Sequence, residues 1–184
     1  MRTDLQPGDI LLYHVLATDT VDIQRLISLG EHDGSAANFE YYHAGLVLDP
    51  GADQGFEQNP PSAHYTVLSQ EPWNRIDVWR PTMPLDIAKL KAWCWGAKGT
   101  PYPYGQIAKF LVADITGELT GLRVLENLID LPASGRSPHL DMCSAVVANA
   151  LDDASNGQMG WTRPDADERP CDLTTGQVVL VVEG

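Results

Sequence analysis

Apolar residues first gather in the short run Asp9-Ile10-Leu11-Leu12-Tyr13, which follows Pro7-Gly8 and predicts a strand. Val21 to Leu29 predicts a short helix ending at Gly30, and residues 31–40 read as a loop rich in Gly, Ser, Asn and charge. His43 to Leu48 predicts a second strand, closed by the turn signal Asp49-Pro50-Gly51. A third strand over Phe56 to Gln58 returns antiparallel, and Thr66 to Ser69 and Ile76 to Arg80 add two more. The period then changes. Over Leu85 to Ala97, residues Ile87, Leu90, Cys94 and Ala97 share one helical face. A Gly-Thr-Pro-Tyr-Pro-Tyr loop follows at Gly99 to Tyr104, then Gly105 to Ile129, whose Gly117 and Gly121 predict two helices rather than one. Leu131 to Pro138 reads as loop, Asp141 to Asp153 as helix and Gln177 to Val182 as a last strand. Strands first and helices later predict an α+β fold, a small antiparallel sheet packed against helices.

Composition narrows the picture. A chain of 184 residues with 43% apolar content and no repeats fits one domain, residues 1–184, with an ordinary core. Its 12 basic and 25 acidic residues leave a net charge of −13. No Lys/Arg cluster is available to neutralise phosphates, which argues against nucleic acid and against adsorption to anionic membranes. The N-terminus carries no apolar signal core, and no stretch reaches membrane-spanning length. Three widely spaced cysteines, Cys94, Cys143 and Cys171, do not form a disulfide framework. A cytoplasmic location is expected. A protein carried by a phage particle or released by lysis would have the same composition.

The helix at Asp141 carries the chemistry. Cys143, Val146, Val147, Ala150 and Leu151 make one apolar stripe, so the thiol lies on the core-facing side. With Asp141 as N-cap, Cys143 occupies the first turn, where free N–H groups and the helix dipole favour a thiolate. A structural core cysteine would show the same pattern. His43 shares one strand face with Gly45 and Val47. If it lies opposite Glu57, with Pro50 at the midpoint, the carboxylate would orient the imidazole. A strand-end histidine capped by solvent is the competing reading. The run His139, Asp141, Cys143 is too tightly spaced, without a second ligand cluster, to signal zinc. No cofactor or metal is expected.

Four segments taken together, Pro7-Gly8-Asp9-Ile10-Leu11-Leu12-Tyr13, Tyr42-His43-Ala44-Gly45-Leu46-Val47, Gly99-Thr100-Pro101-Tyr102 and Met142-Cys143-Ser144, resemble the circularly permuted branch of the NlpC-type papain-like hydrolases, and within it the YiiX/YebB-like group. The order His before Cys points to the permuted branch. The resemblance implies a circularly permuted papain-like fold with Cys143 as nucleophile, His43 as base and Glu57 as third polar residue. Gln58 and His64 stay open as alternative orienters, and Ala145 stands where the family often has an acidic residue. The implied activity is a cysteine peptidase or amidase acting through an acyl-enzyme on a peptide or acyl-amide, such as a cell-wall peptide or γ-glutamyl bond. The alternatives are a lipid acyl hydrolase or acyltransferase, since permuted relatives include lecithin retinol acyltransferase-like enzymes, and a non-catalytic binding module such as a phage structural or immunity protein.

Other residues are set aside. Cys94, between Trp93 and Trp95, reads as core, and Cys171 follows Pro170 with nothing nearby to activate it. His14 and His32 have no evident partner. Tyr102 and Tyr104 read as packing or cleft residues, and the apolar faces between Ile107 and Ile129 as a cover for the sheet or a lid over a greasy substrate.

Overall fold

The structure, a computed structural model, describes residues 4–14, 41–102, 143–161, 173–174 and 176–182. Six strands among them form one antiparallel sheet: β1 (Ile10–His14), β2 (Tyr41–Asp49), β3 (Gln54–Asn59), β4 (Ser62–Val67), β5 (Ile76–Pro81) and β6 (Val178–Val182). Their order across the sheet is β4-β3-β2-β1-β5-β6. Two helices are described, α1 (Ile87–Ala97) and α2 (Cys143–Ser155), so the class is α+β. None of the described helices is long and apolar enough to cross a membrane. The predicted segments 21–29 and 105–129 lie outside the described residues.

Strand alternation divides the core in two. Ile10, Leu12, Ala44, Leu46, Leu48 and Phe56 meet Leu90 and Cys94 of α1 and Val146, Val147, Ala150 and Leu151 of α2. Leu11, Tyr13, Val47, Ile76 and Val78 pack together on the other face with Leu5 and Leu68. β1 lies between β2 and β5 and is covered on both faces, which is why it reads as an unbroken apolar run.

The entry to β1 is fixed by its Pro-Gly-Asp lead. Gly8 has φ +91°, and a Cβ there would stand 2.3 Å from Leu85 Cδ1, so glycine suits both backbone and packing. Asp9 is buried and takes two hydrogen bonds from Arg80 of β5, from Nε and Nη2, each 2.7 Å long. A third, from the Gln6 N–H at 2.8 Å, satisfies the same carboxylate and clamps the N-terminal approach to the sheet.

Two expectations shift. The fourth strand runs over Ser62–Val67 rather than Thr66–Ser69, and Leu68–Gln70 forms a 3-10 turn. Asn59 pairs with Ser62, so Pro60-Pro61 makes the hairpin turn itself and pairing begins directly after it. Glu57 lies opposite Gly45, not opposite His43. The β2–β3 register turns two residues away from the expected one, with an irregularity between Val47 and Asp49.

Candidate active site

Cys143 is the first residue of α2 and is 7% exposed. Its apolar stripe, Val146, Val147, Ala150 and Leu151, seats the helix on the sheet and brings the thiol to β2. His43 stands in β2 beside an irregularity. Tyr13 pairs with His43, but the next residue, His14, pairs with Tyr41, which leaves Tyr42 as an extra residue. Such bulges re-aim side chains. Here Tyr42 and His43 stack at 6.3 Å between ring centroids, and Tyr13 flanks the imidazole from β1 at 5.0 Å.

Glu57 shares the sheet face of His43 but sits diagonally from it, across from Gly45. A glutamate is long enough to span that diagonal. It passes directly over Gly45, where a Cβ would lie 2.8 Å from Glu57 Cγ. The glycine two residues after the histidine thus opens the path for the carboxylate. His43 Nε2–H donates to Glu57 Oε2 at 3.0 Å, with both side chains buried. The ring also hydrogen-bonds the Cys143 thiol. With Nε2 committed to Glu57, Nδ1 is the nitrogen left for the sulfur.

Electrostatics follow from this arrangement. Burial works against a charged imidazole, but the sulfur and the Glu57 carboxylate outweigh it and raise His43 to about 10. Burial likewise opposes a thiolate, yet His43 and the backbone N–H groups of Ala44 and Ser144 bring Cys143 below the ordinary thiol value. Glu57 is also held below its ordinary value. Burial pushes it up, while His43, then Tyr13 and His64, pull it further down. Both shifts favour the charged forms, a thiolate beside an imidazolium braced by a carboxylate.

The alternative orienters lie elsewhere. Gln58 points to the other side of β3 and donates through Nε2 to the carbonyl of Pro101 at 3.1 Å, tying the Gly-Thr-Pro-Tyr loop to the sheet. His64 pairs with Glu57 across β3–β4, and its Nδ1 lies 2.7 Å from the Ser62 carbonyl oxygen. Two further residues join the site that sequence reasoning did not single out. The Tyr13 hydroxyl donates to Glu57 Oε1, and Glu71 Oε2 lies 3.0 Å from the same hydroxyl. Tyr13 was readable only as an apolar strand residue, and Glu71 has no local signal, because a 3-10 turn after β4 delivers it.

The remaining candidates fall into place. Cys94 is fully buried, and burial pushes its thiol up to about 12. His14 does have a partner: its Nε2 lies 2.9 Å from Asp77 Oδ1, and the Tyr41 hydroxyl donates to Asp77 Oδ2 at 2.5 Å. Tyr102 donates its N–H to the Pro61 carbonyl at 2.9 Å. His32, Tyr104, Ile107 to Ile129, His139, Asp141 and Cys171 lie outside the described residues. Among the described residues no group of three or more His, Cys, Asp or Glu is placed to hold a metal ion.

Comparison of the chain with protein-family models, with curated proteins and with solved structures returns no significant match.

Proposed function

We propose that this protein is a cysteine hydrolase that cleaves an amide bond through an acyl-enzyme. More particularly, we propose a member of the permuted NlpC-type papain-like hydrolases, in the YiiX/YebB-like group. The observation that carries the first step is the hydrogen-bonded chain Cys143–His43–Glu57, with the thiol lowered and the imidazole raised. A structural core cysteine has no use for a buried, carboxylate-braced imidazole, and Cys94 supplies the contrast within the same core. The second step rests on the four motifs and on the order His before Cys.

In this reading the Cys143 thiolate attacks the carbonyl carbon. N–H groups of the first turn of α2, which have no partner within the helix, face the oxygen that becomes negative. The imidazolium of His43 gives its proton to the leaving nitrogen as the C–N bond breaks, leaving a thioester on Cys143. Water then attacks the thioester, His43 takes its proton, and the acid product and free thiol separate. Glu57 holds the ring and supports its charge throughout. Cell-wall peptides and γ-glutamyl amides are the proposed substrates, because an acidic chain without a basic amphipathic segment has little to hold an anionic bilayer. A cytoplasmic location suits a free thiol, and carriage by a phage particle is the other proposed setting.

The test is a side-by-side assay of muropeptides and γ-glutamyl amides against short-chain phospholipids and acyl amides, each with Cys143→Ala as control. Cys143-dependent peptide or amide cleavage is expected. Cys143-dependent release of fatty acid alone would replace the substrate class. Failure of electrophiles to prefer Cys143 would sink the enzyme reading in favour of a binding module.

A further inference from the structure

Tyr13 poses a problem of proton counting. Its hydroxyl, buried between β2 and the turn after β4, touches two carboxyl groups at once, Glu57 Oε1 and Glu71 Oε2. A phenol has one hydrogen to give. Two ionised carboxylates can only accept, so both contacts are hydrogen bonds only if one carboxyl brings a proton of its own. Glu57 is the charged one, because its other oxygen accepts from the His43 ring. The proton therefore belongs to Glu71.

We propose that Glu71 is a positioning residue. As a neutral acid it donates from its carboxyl to Tyr13 Oη, which commits the Tyr13 hydrogen to Glu57. The full chain then reads Glu71 to Tyr13 to Glu57, with His43 donating to Glu57 from the other side and Cys143 beyond it. The inference rests on the proposed role of Cys143 and His43 and extends it by two residues.

The surroundings support a neutral Glu71. It is half-buried, and both burial and the negative Glu57 push its carboxyl above the ordinary value, while Tyr13, His43 and Thr66 pull the other way. The groups facing it are Tyr13 from β1, His43 from β2, Glu57 from β3 and Thr66 from β4, with His64 beside Glu57. His43 is the one cation among these that acts on Glu71, and it does so through space while its own hydrogen bonds go to Glu57 and Cys143. If Glu71 ionises, it becomes a second acceptor for the Tyr13 hydrogen. Glu57 loses a donor, the site gains a negative charge, and the imidazolium is held more tightly. His43 then gives up its proton less readily to a leaving group.

Three measurements on the full chain test this. Carboxyl carbon NMR of glutamate-labelled protein, with Glu71→Gln for assignment, follows the Glu71 titration directly. Imidazole nitrogen NMR follows His43, and iodoacetamide alkylation follows Cys143. Glu71 is expected to titrate above the ordinary carboxylate range. The His43 signal should show a step at that same pH, absent in Glu71→Gln, and the His43 titration in that variant should move to lower pH. Glu71→Gln can still donate to Tyr13, so its alkylation rate should match wild type on the acid side of the step, while Glu71→Ala should not. A Glu71 carboxyl titrating in the ordinary range, or a His43 signal without the step, overturns the proposal. The carboxyl titration needs no reactive thiol, so it judges Glu71 even if Cys143 proves unreactive and the enzyme reading falls.

Discussion

At the scale of single residues, the contrast between Cys94 and Cys143 is the most useful. Both thiols are buried against the same sheet. Burial alone governs Cys94 and pushes it up to about 12, whereas His43 overrides burial at Cys143. Iodoacetamide at neutral pH should therefore label Cys143 well before Cys94, as peptide mapping would read. Glu57→Gln keeps an acceptor for His43 Nε2–H but removes the charge that supports the imidazolium. One unit of lost imidazole basicity weakens the ion pair by about tenfold, which is the upper bound for the fall in the Cys143 alkylation rate at neutral pH. An unchanged rate would mean that Glu57 does not brace the ring. His43→Ala should cost more, because the sulfur then loses its direct partner.

At the scale of elements, the site depends on how two strands and one helix end meet. His43 stands beside the β2 irregularity, and the start of α2 brings Cys143 within hydrogen-bond reach of it. The β2–β3 register places Gly45 under Glu57. Gly45→Ala tests that geometry, because its Cβ would intrude on Glu57 Cγ at 2.8 Å. Overpacking of this kind costs about 1–3 kcal/mol. The expected result is a lower thermal midpoint together with a lower His43 titration, as Glu57 is displaced. A stability loss with an unmoved His43 would show that Glu57 reaches the ring by another path. Leu151→Ala, at a fully buried position in α2 away from the chemistry, should lower stability by about 2–5 kcal/mol.

At the scale of the whole molecule, the buried ionisable groups make stability depend on pH in opposite directions. Glu57 is held below its ordinary value of 4.5, so the unfolded chain takes up the proton first. Its contribution is present above pH 4.5 and is lost as pH falls through the folded value. Glu71 lies above 4.5, so its contribution is complete below that pH and is lost as pH rises through its folded value. His43, raised from 6.5 to about 10, contributes fully below 6.5 and loses that contribution on passing about 10. Urea melts across pH should show Glu57→Gln flattening the acid side of the stability curve and Glu71→Gln flattening the region just above it. The reverse assignment would contradict the charge states derived for the two carboxyls.

Among the described residues, the chain's own pattern determined most of the element types, the antiparallel sheet ahead of the helices, the buried stripe of α2, and Cys143, His43 and Glu57 as residues to watch; Thr66 to Ser69, expected as a strand, is the exception. Periodicity carries that information because each face of a strand or helix is buried or solvated as a unit. It could not supply the register. Glu57 was expected across from His43 and lies across from Gly45, because pairing depends on a hairpin irregularity that leaves no local mark. The choice of Glu57 over Gln58 and His64 at the ring likewise needed the strand alternation and the β3–β4 pairing together. Tyr13 and Glu71 were decided by tertiary structure alone: they stand 58 positions apart in the chain, and only the folded sheet brings a carboxyl after β4 to the hydroxyl of the β1 phenol that reaches Glu57.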